Sequence, residues 1–295
     1  MDDVFSTERP LLFSIAYRML GSASDAEDVL QDAWLRYFGA EGSAIRSPKA
    51  FATTIVTRLC LDRLKSAQAT REAYVGPWLP EPVLTSECES PATMLQRAES
   101  LTLAFLVLLE KLSPEERAVF LLKDIFEYGH SEVAGMLGIT EENSRQLLHR
   151  AKARLADQRP RLSGTPESRR AVAERFAKAF STGNGSELSA LLAADVGAWS
   201  DGGGKVVAAR HPLLGHDRVL HVLLGLHRSA SATLEMPDVS LRIEDVNSEP
   251  ALVIRVGDRL ESIFVFSIDG DTVSGIRIVR NPDKLARIYR RLMVH

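Results

Sequence analysis

Residues 131–154 read SEVAGMLGITEENSRQLLHRAKAR, and their pattern is helix, tight turn, helix. Ser131 can cap a short helix whose apolar residues are Val133, Ala134 and Leu137. Gly138 then stands where a helix usually ends in the left-handed conformation. Thr140 can cap the next helix, with Glu141 and Glu142 in a first turn whose dipole favours carboxylates. In that helix Leu147, Leu148, Ala151 and Leu155 recur at the spacing of one buried face. Asn143, Arg145, Gln146, His149, Arg150 and Lys152 are left pointing outward, with side chains able to donate to phosphates and base edges. This is the layout of a helix-turn-helix that reads the major groove. An ordinary helix pair with a solvated basic face has the same pattern.

The charge distribution separates these readings better than the net charge. The whole chain of 295 residues carries only −3. Residues 143–161 nevertheless hold six bases against Asp157, and residues 46–71 hold six against Asp62. Asp25, Glu27, Asp28 and Asp32 lie in a stretch with no base at all. Local basic patches are what a nucleic-acid footprint requires. The two cysteines, Cys60 and Cys88, form no CxxC pair, so neither a disulfide framework nor a zinc site is expected. The N-terminus lacks a signal-peptide core and no apolar run is long enough to span a bilayer. A cytoplasmic protein without a membrane partner, metal or cofactor is expected.

Composition shifts divide the chain. Residues 1–70 read as helices, with a stripe of Leu11, Leu12, Ile15, Ala16, Met19 and Leu20. A capping box at Ser24 and Glu27 opens a second helix facing inward through Val29, Leu30, Ala33, Trp34 and Phe38. A third starts at Ser47-Pro48 and buries Phe51, Ile55, Val56, Leu59 and Cys60. Residues 71–99 contain Pro77, Pro80, Pro82 and Pro91 and several glutamates, which predicts an extended linker. Residues 100–162 are helical again, with a capping box at Ser113 and Glu116. From 167 to 280 the pattern is α+β: helices at 167–181 and 216–228, then β-branched runs at 238–244, 252–256, 262–267 and 272–279. Asp269-Gly270-Asp271 signals a hairpin between the last two. Residues 281–295 read as a basic, amphipathic tail.

The order of these parts resembles the extracytoplasmic-function sigma factors. Arg9-Pro10-Leu11, Ala16 to Gly21 and Asp25 to Trp34 carry the likeness to the first sigma domain. Leu112 to Arg117 and Ser144 to Ala151 carry the likeness to the second. The resemblance implies core RNA polymerase, through its β′ clamp and β flap, and promoter DNA as partners. It implies that Asp25, Glu27, Asp28, Asp32 and Trp34 dock on the clamp, where an acidic helix face supplies steering and register. It places Arg46, Lys49, Thr53, Thr54, Arg58, Arg63 and Lys65 on the −10 element, where an unstacked base must find compensating contacts. It places Asn143, Arg145, Gln146, His149, Arg150 and Lys152 on the −35 element.

Three further motifs are Trp78-Leu79-Pro80-Glu81-Pro82, Asp201-Gly202-Gly203-Gly204-Lys205 and Asn281-Pro282-Asp283-Lys284-Leu285. They resemble the sigma-J type, which carries a SnoaL-like C-terminal extension related in fold to ketosteroid isomerase. The fold class expected is therefore two all-α sigma domains followed by a cone-shaped α+β domain. The resemblance implies regulation in cis by that extension. The glycines permit close backbone approach, and Lys205 is expected to face Glu81 or another linker acid. The GGGK stretch is no phosphate loop, because Val206 follows the lysine.

Two alternatives have a different character. The extension could be a small-molecule sensor, or an isomerase- or cyclase-type enzyme using Asp201, His211, His216, Asp217 or His221. Acid–base work would need such groups within reach of one substrate in a single cavity. No catalytic residue is assigned on sequence alone.

Overall fold

The computed structural model describes residues 2–40, 47–72, 74–87, 98–156, 163–234 and 238–292. They form two compact units: Met1–Ala73 with Ser86–Pro160, and Tyr74–Thr85 with Arg161–His295. The segment 74–85 therefore belongs to the second unit. It is extended, as its prolines predict, and Leu79 to Leu84 are buried.

In the first unit, α1 (Asp2–Leu20), α2 (Ala23–Gly39) and α3 (Pro48–Glu72) pack against one another. It is buried all round from Leu12 to Leu20, wider than one apolar stripe. Gly21 ends it at a φ of 67°, and Ser22 at once caps α2 by accepting from the Asp25 N–H. The cap thus falls two residues before the expected Ser24, because no loop separates the helices. The buried residues of α2 are Ala23, Ala26, Val29, Leu30, Ala33 and Tyr37. Trp34 lies about 100° around the helix from Ala33 and is 46% exposed. In α3 the inner line runs Ala52, Thr53, Val56, Thr57, Cys60 and Leu64, while Phe51 and Ile55 are half-buried. Burial raises the Cys60 thiol above its ordinary range.

After a 3-10 turn at Ala98–Leu101 come α4 (Leu103–Leu109) and α5 (Pro114–Phe120), which continues as one π turn through Leu121–Ile125. The Ser113–Glu116 capping box forms as read. Next are α6 (His130–Leu137) and α7 (Glu141–Leu155). The cap of α6 is Gly129, whose N–H bonds the Glu132 carboxylate. Ser131 lies inside the helix, two residues past that cap. Gly138 adopts a φ of 69°, and Thr140 accepts from the Asn143 N–H at 3.1 Å.

The second unit begins after its extended segment with α8 (Pro166–Thr182) and α9 (Gly185–Leu191). Its sheet contains β1 (Leu192–Asp201), β2 (Leu213–Leu214), β3 (Val239–Val246), β4 (Glu249–Val256), β5 (Arg259–Asp269) and β6 (Thr272–Val279). The order is β2-β1-β6-β5-β4-β3, with only β1 and β6 parallel. Register breaks at Ile254/Arg255 and Ser267/Ile268 mark irregular pairing of the kind that bends strands. On one face α8 and α10 (His216–Leu234) build a core of Phe176, Phe180, Leu223, Phe264, Phe266 and Ile276. Residues alternate across a strand, so Ile263 and Val265 point to the other face. There α11 (Pro282–Leu292) packs on β5 with Leu285 and Ile288 buried, and Arg255 lies over the Tyr289 ring at 5.8 Å. The stretch from 281 is thus an integral layer of the domain, not an appended tail. Among the described residues no helix is long and apolar enough to cross a membrane.

Candidate nucleic-acid interface

The helix-turn-helix closes on Val119, Leu122, Val133, Met136 and Leu147. His130 Nδ1 meets Ser144 Oγ at 2.9 Å and ties α6 to α7. Desolvation, reinforced by nearby Lys123 and Arg145, holds this imidazole below its ordinary pKa. The packing leaves Gln146, His149 and Arg150 exposed on one face of α7, with Asn143 half-buried at its start. Arg145 pairs with Glu141 at 2.7 Å and Lys152 with Asp124 at 2.5 Å. The expected −35 set is therefore brought together on one helix. Arg154, which no motif singled out, pairs with the buried Glu116 at 2.9 Å and so braces α7 against the α5 cap.

The expected −10 set is less uniform. Arg46 lies outside the described residues. Thr53 is fully buried, with Oγ1 3.4 Å from the Tyr128 hydroxyl. Thr54 Oγ1 donates to the Ala50 carbonyl. Arg58 Nε donates to the Met136 carbonyl at 2.9 Å, and Nη2 reaches Gly135 at 3.4 Å. Lys49 pairs with Glu8 and Lys65 with Glu115, at 3.0 and 2.9 Å. The last pair raises the lysine and lowers the carboxyl, through their hydrogen bond first. Arg63 holds Asp25 and Asp28. Thus Thr53 and Arg58 of α3 engage the helix-turn-helix module, and Arg117 Nη1 on α5 reaches back to the Met19 carbonyl at 2.8 Å.

The acids expected to meet polymerase fall on α2. Glu27 is paired with Arg9, Asp25 and Asp28 with Arg63, and Asp32 is exposed. Trp34 packs on Phe38 with ring centroids 4.7 Å apart. Its neighbour Leu35 is 57% exposed. Leu35 escaped the sequence reading because a lone leucine outside the inner stripe carries no distinctive signal.

A second constellation lies wholly within the second unit. Asp201 ends β1 with no solvent exposure. Its Oδ1 accepts from the Tyr74 hydroxyl at 2.6 Å and the Gly203 N–H at 3.0 Å. Its Oδ2 accepts from the Leu79 N–H at 2.9 Å and Lys284 Nζ at 2.7 Å. Lys284 Nζ also donates to the Leu79 carbonyl and stands 4.8 and 4.5 Å from the Tyr74 and Trp78 ring centroids. Asn281 Nδ2 donates to the Tyr74 oxygen at 2.9 Å. Burial, then the bond to Asp201, raises the Tyr74 phenol above its ordinary pKa. A carboxylate, an ammonium and two rings thus clasp an extended segment whose Leu79, Pro80, Glu81, Pro82 and Val83 are buried. Farther along, the Val83 N–H donates to Asn247 Oδ1 and the Asn247 N–H donates to the Val83 carbonyl in the β3–β4 turn, and Thr85 bonds Asp245 and Ser248.

The three glycines differ in role. A Cβ on Gly203 would fall within 2.3 Å of the Asn281 amide, and one on Gly202 within 2.4 Å of the Val206 carbonyl. Gly204 faces Val75. Lys205 does not meet a linker acid. It pairs with Asp283 at 2.5 Å, and the lysine that meets the linker is Lys284, through the Leu79 carbonyl. The two lysines were not separable by motif position alone.

A region 2 model of the sigma-70 family matches residues 4–70, and a region 4 model matches residues 102–155. The ECF RNA polymerase sigma factor SigJ of Mycobacterium tuberculosis is 39% identical over 75% of this chain and 72% of its own length. The chain belongs to the extracytoplasmic-function sigma factors. It recognises promoters with the RNA polymerase core and initiates transcription. A second relative, described as the probable ECF RNA polymerase sigma factor SigI of the same species, is 30% identical over 94% of this chain and 92% of its own. The crystal structure of Mycobacterium tuberculosis SigJ superposes with a TM-score of 0.75 at 30% identity, covering 97% of this sigma factor and 98% of that chain. The expected fold class, helical sigma domains followed by a SnoaL-like domain with a mixed sheet, is the one this sigma factor has.

Proposed function

We propose that the SnoaL-like domain regulates this sigma factor in cis by holding the segment that joins its two DNA-reading modules. The observation that carries this reading is the buried clasp of Asp201 and Lys284 on Tyr74, Trp78 and Leu79. A linker so held cannot change its length or path without breaking a buried ion pair. Meanwhile Thr53 and Arg58 are engaged by the helix-turn-helix module. The resting chain therefore withholds part of its −10 surface, and promoter engagement requires the modules to part. In the open form Arg46, Lys49, Arg63 and Lys65 neutralise phosphates beside Thr53 and Thr54. On the −35 element Arg145, Arg150 and Lys152 position the helix, while Asn143, Gln146 and His149 read bases. Asp25, Glu27, Asp28, Asp32 and Trp34 meet the β′ clamp, and the β flap takes the second module.

The C-terminal domain is regulatory, not catalytic. Asp201 is committed to the clasp. His216 is held by the Ser189 carbonyl and Asp217, His211 and His221 are exposed, and none of these groups is among the described residues lining the cavity between the sheet and α10, which supports the regulatory reading. In vitro transcription with core polymerase tests the proposal. Lys284→Met should alter promoter-dependent output at least several-fold relative to the parent chain. Unchanged output, with Leu79 shown to be released, would refute it.

A further inference from the structure

Between the sheet and α10 lies a cavity of about 510 Å³, within the range of small-molecule sites. Its body is apolar: Phe180, Leu226, Ile254, Val256, Phe264 and Ile278 face it. Its charged groups gather at one end, where Arg259 and Arg280 flank a single carboxylate, Glu261. Arg280 is engaged on both sides, donating to Glu261 at 3.1 Å and to the Val207 carbonyl at 2.7 Å. Arg259 reaches Glu261 only at 3.9 Å and its side chain is 84% exposed. Two guanidiniums against one carboxylate leave this end with one excess positive charge, and a guanidinium fork suits a carboxylate.

We propose that this cavity binds an apolar monocarboxylic acid, its hydrocarbon body against Phe264 and Ile278 and its carboxylate at Arg259. The site also touches the clasp. Val207, Ala208 and Ala209 form part of its wall. The outer side of that strap meets the linker, since Gly76 approaches the Ala209 carbonyl and the Arg210 backbone. The Arg280 and Asn281 N–H groups bond the Asp201 carbonyl at 2.8 and 2.9 Å. An acid drawing Arg259 and Arg280 from Glu261 therefore bears on the strand end that carries Asn281 to Tyr74. This second step rests on the cis-regulation proposed above, whereas binding itself does not.

Titration calorimetry on the full chain with decanoate and 2-naphthylacetate tests the site, with their neutral amides as controls. Both acids should bind, both amides should bind at least tenfold more weakly, and Arg259→Glu should weaken the acids at least tenfold. Because that residue is exposed, the variant should fold, and its unchanged melting temperature verifies this. Ser262→Phe, on the cavity wall, should abolish binding. No binding of either acid to the parent chain, or equal binding of acid and amide, would overturn the proposal. Hydrogen exchange of residues 74–85 then reads the coupling. Altered protection with bound acid supports it, and unchanged protection overturns the coupling. Altered protection without any change in transcription would instead count against the cis-regulatory reading.

Discussion

The clasp concentrates its energetics in single side chains. Removing one member of a buried ion pair strands the other, at a cost of about 3–5 kcal/mol. Lys284→Met should therefore destabilise the second unit by about 3 kcal/mol in urea unfolding. Lys205→Met should cost at most about 1 kcal/mol, because its pair with Asp283 is solvent-exposed. Equal losses would contradict the division of labour between these lysines. Histidine titration should distinguish the units. His130 is lowered in the fold, so its unfolded form takes up a proton first. The stability it contributes is intact above the ordinary histidine value and is lost as pH falls from there to its lowered value. His216 is raised, chiefly by its hydrogen bond to Asp217. Its contribution is present below the ordinary value and lost as pH rises through the raised one. Unfolding followed between pH 5 and 8 should show the two slopes, and His130→Gln and His216→Gln should each remove one of them.

At the scale of elements, the recognition helix depends on its entry. Thr140→Ala removes the cap on Asn143 and should cost about 1 kcal/mol. Gly138→Ala forces a Cβ into a left-handed turn and should cost about 1–2 kcal/mol; thermal unfolding checks both. Gln146→Ala should relax one −35 position by about 1–3 kcal/mol, while Arg150→Ala should weaken all promoters alike and flatten the salt dependence. Binding to a panel of singly substituted promoters separates these outcomes. The helix-turn-helix was legible because caps, a glycine stop and one apolar face agreed at every step. Strand β1 was not: Ala193, Ala194 and Gly197 favour no strand, and its place comes from parallel pairing with β6, a contact invisible to local pattern. Trp34 reads as shared between the inner face and the clamp-facing surface; it is half-exposed, and helix phase gives the fully inward position to Tyr37.

For the whole molecule, cutting the chain after Leu162 is less simple than its domain order suggests. Leu79, Val83 and Leu84 lose their covering in such a fragment, since they belong to the second unit. The truncated protein should bind a hydrophobic dye more strongly and precipitate at lower concentration than the full chain, a light-scattering measurement. Arg58→Ala leaves every clasp residue intact. It should increase the distance between α3 and α6 seen by spin labels, because it removes two hydrogen bonds that join the modules. The division into sigma modules and extension was readable from composition, because helical, proline-rich and β-branched stretches differ in kind. A contact between the proline-rich stretch and the GGGK loop was expected from the motifs, but that Lys284, not Lys205, would make it was not, since the two lysines differ in nothing that local pattern reads.

The place of Lys284 in the chain sets a clock. Its Nζ and the Leu79 carbonyl that it holds are 205 residues apart. At ribosomal speeds of about 5–20 residues per second, roughly 10 to 40 s pass between the synthesis of one and the other. In the later part of that interval, once the second module is complete near Leu155, both DNA-reading modules exist and Lys284 does not yet restrain the strand between them. Each newly made copy thus passes through an unguarded youth, and a polymerase that meets the nascent chain meets it before its own C-terminal half can intervene.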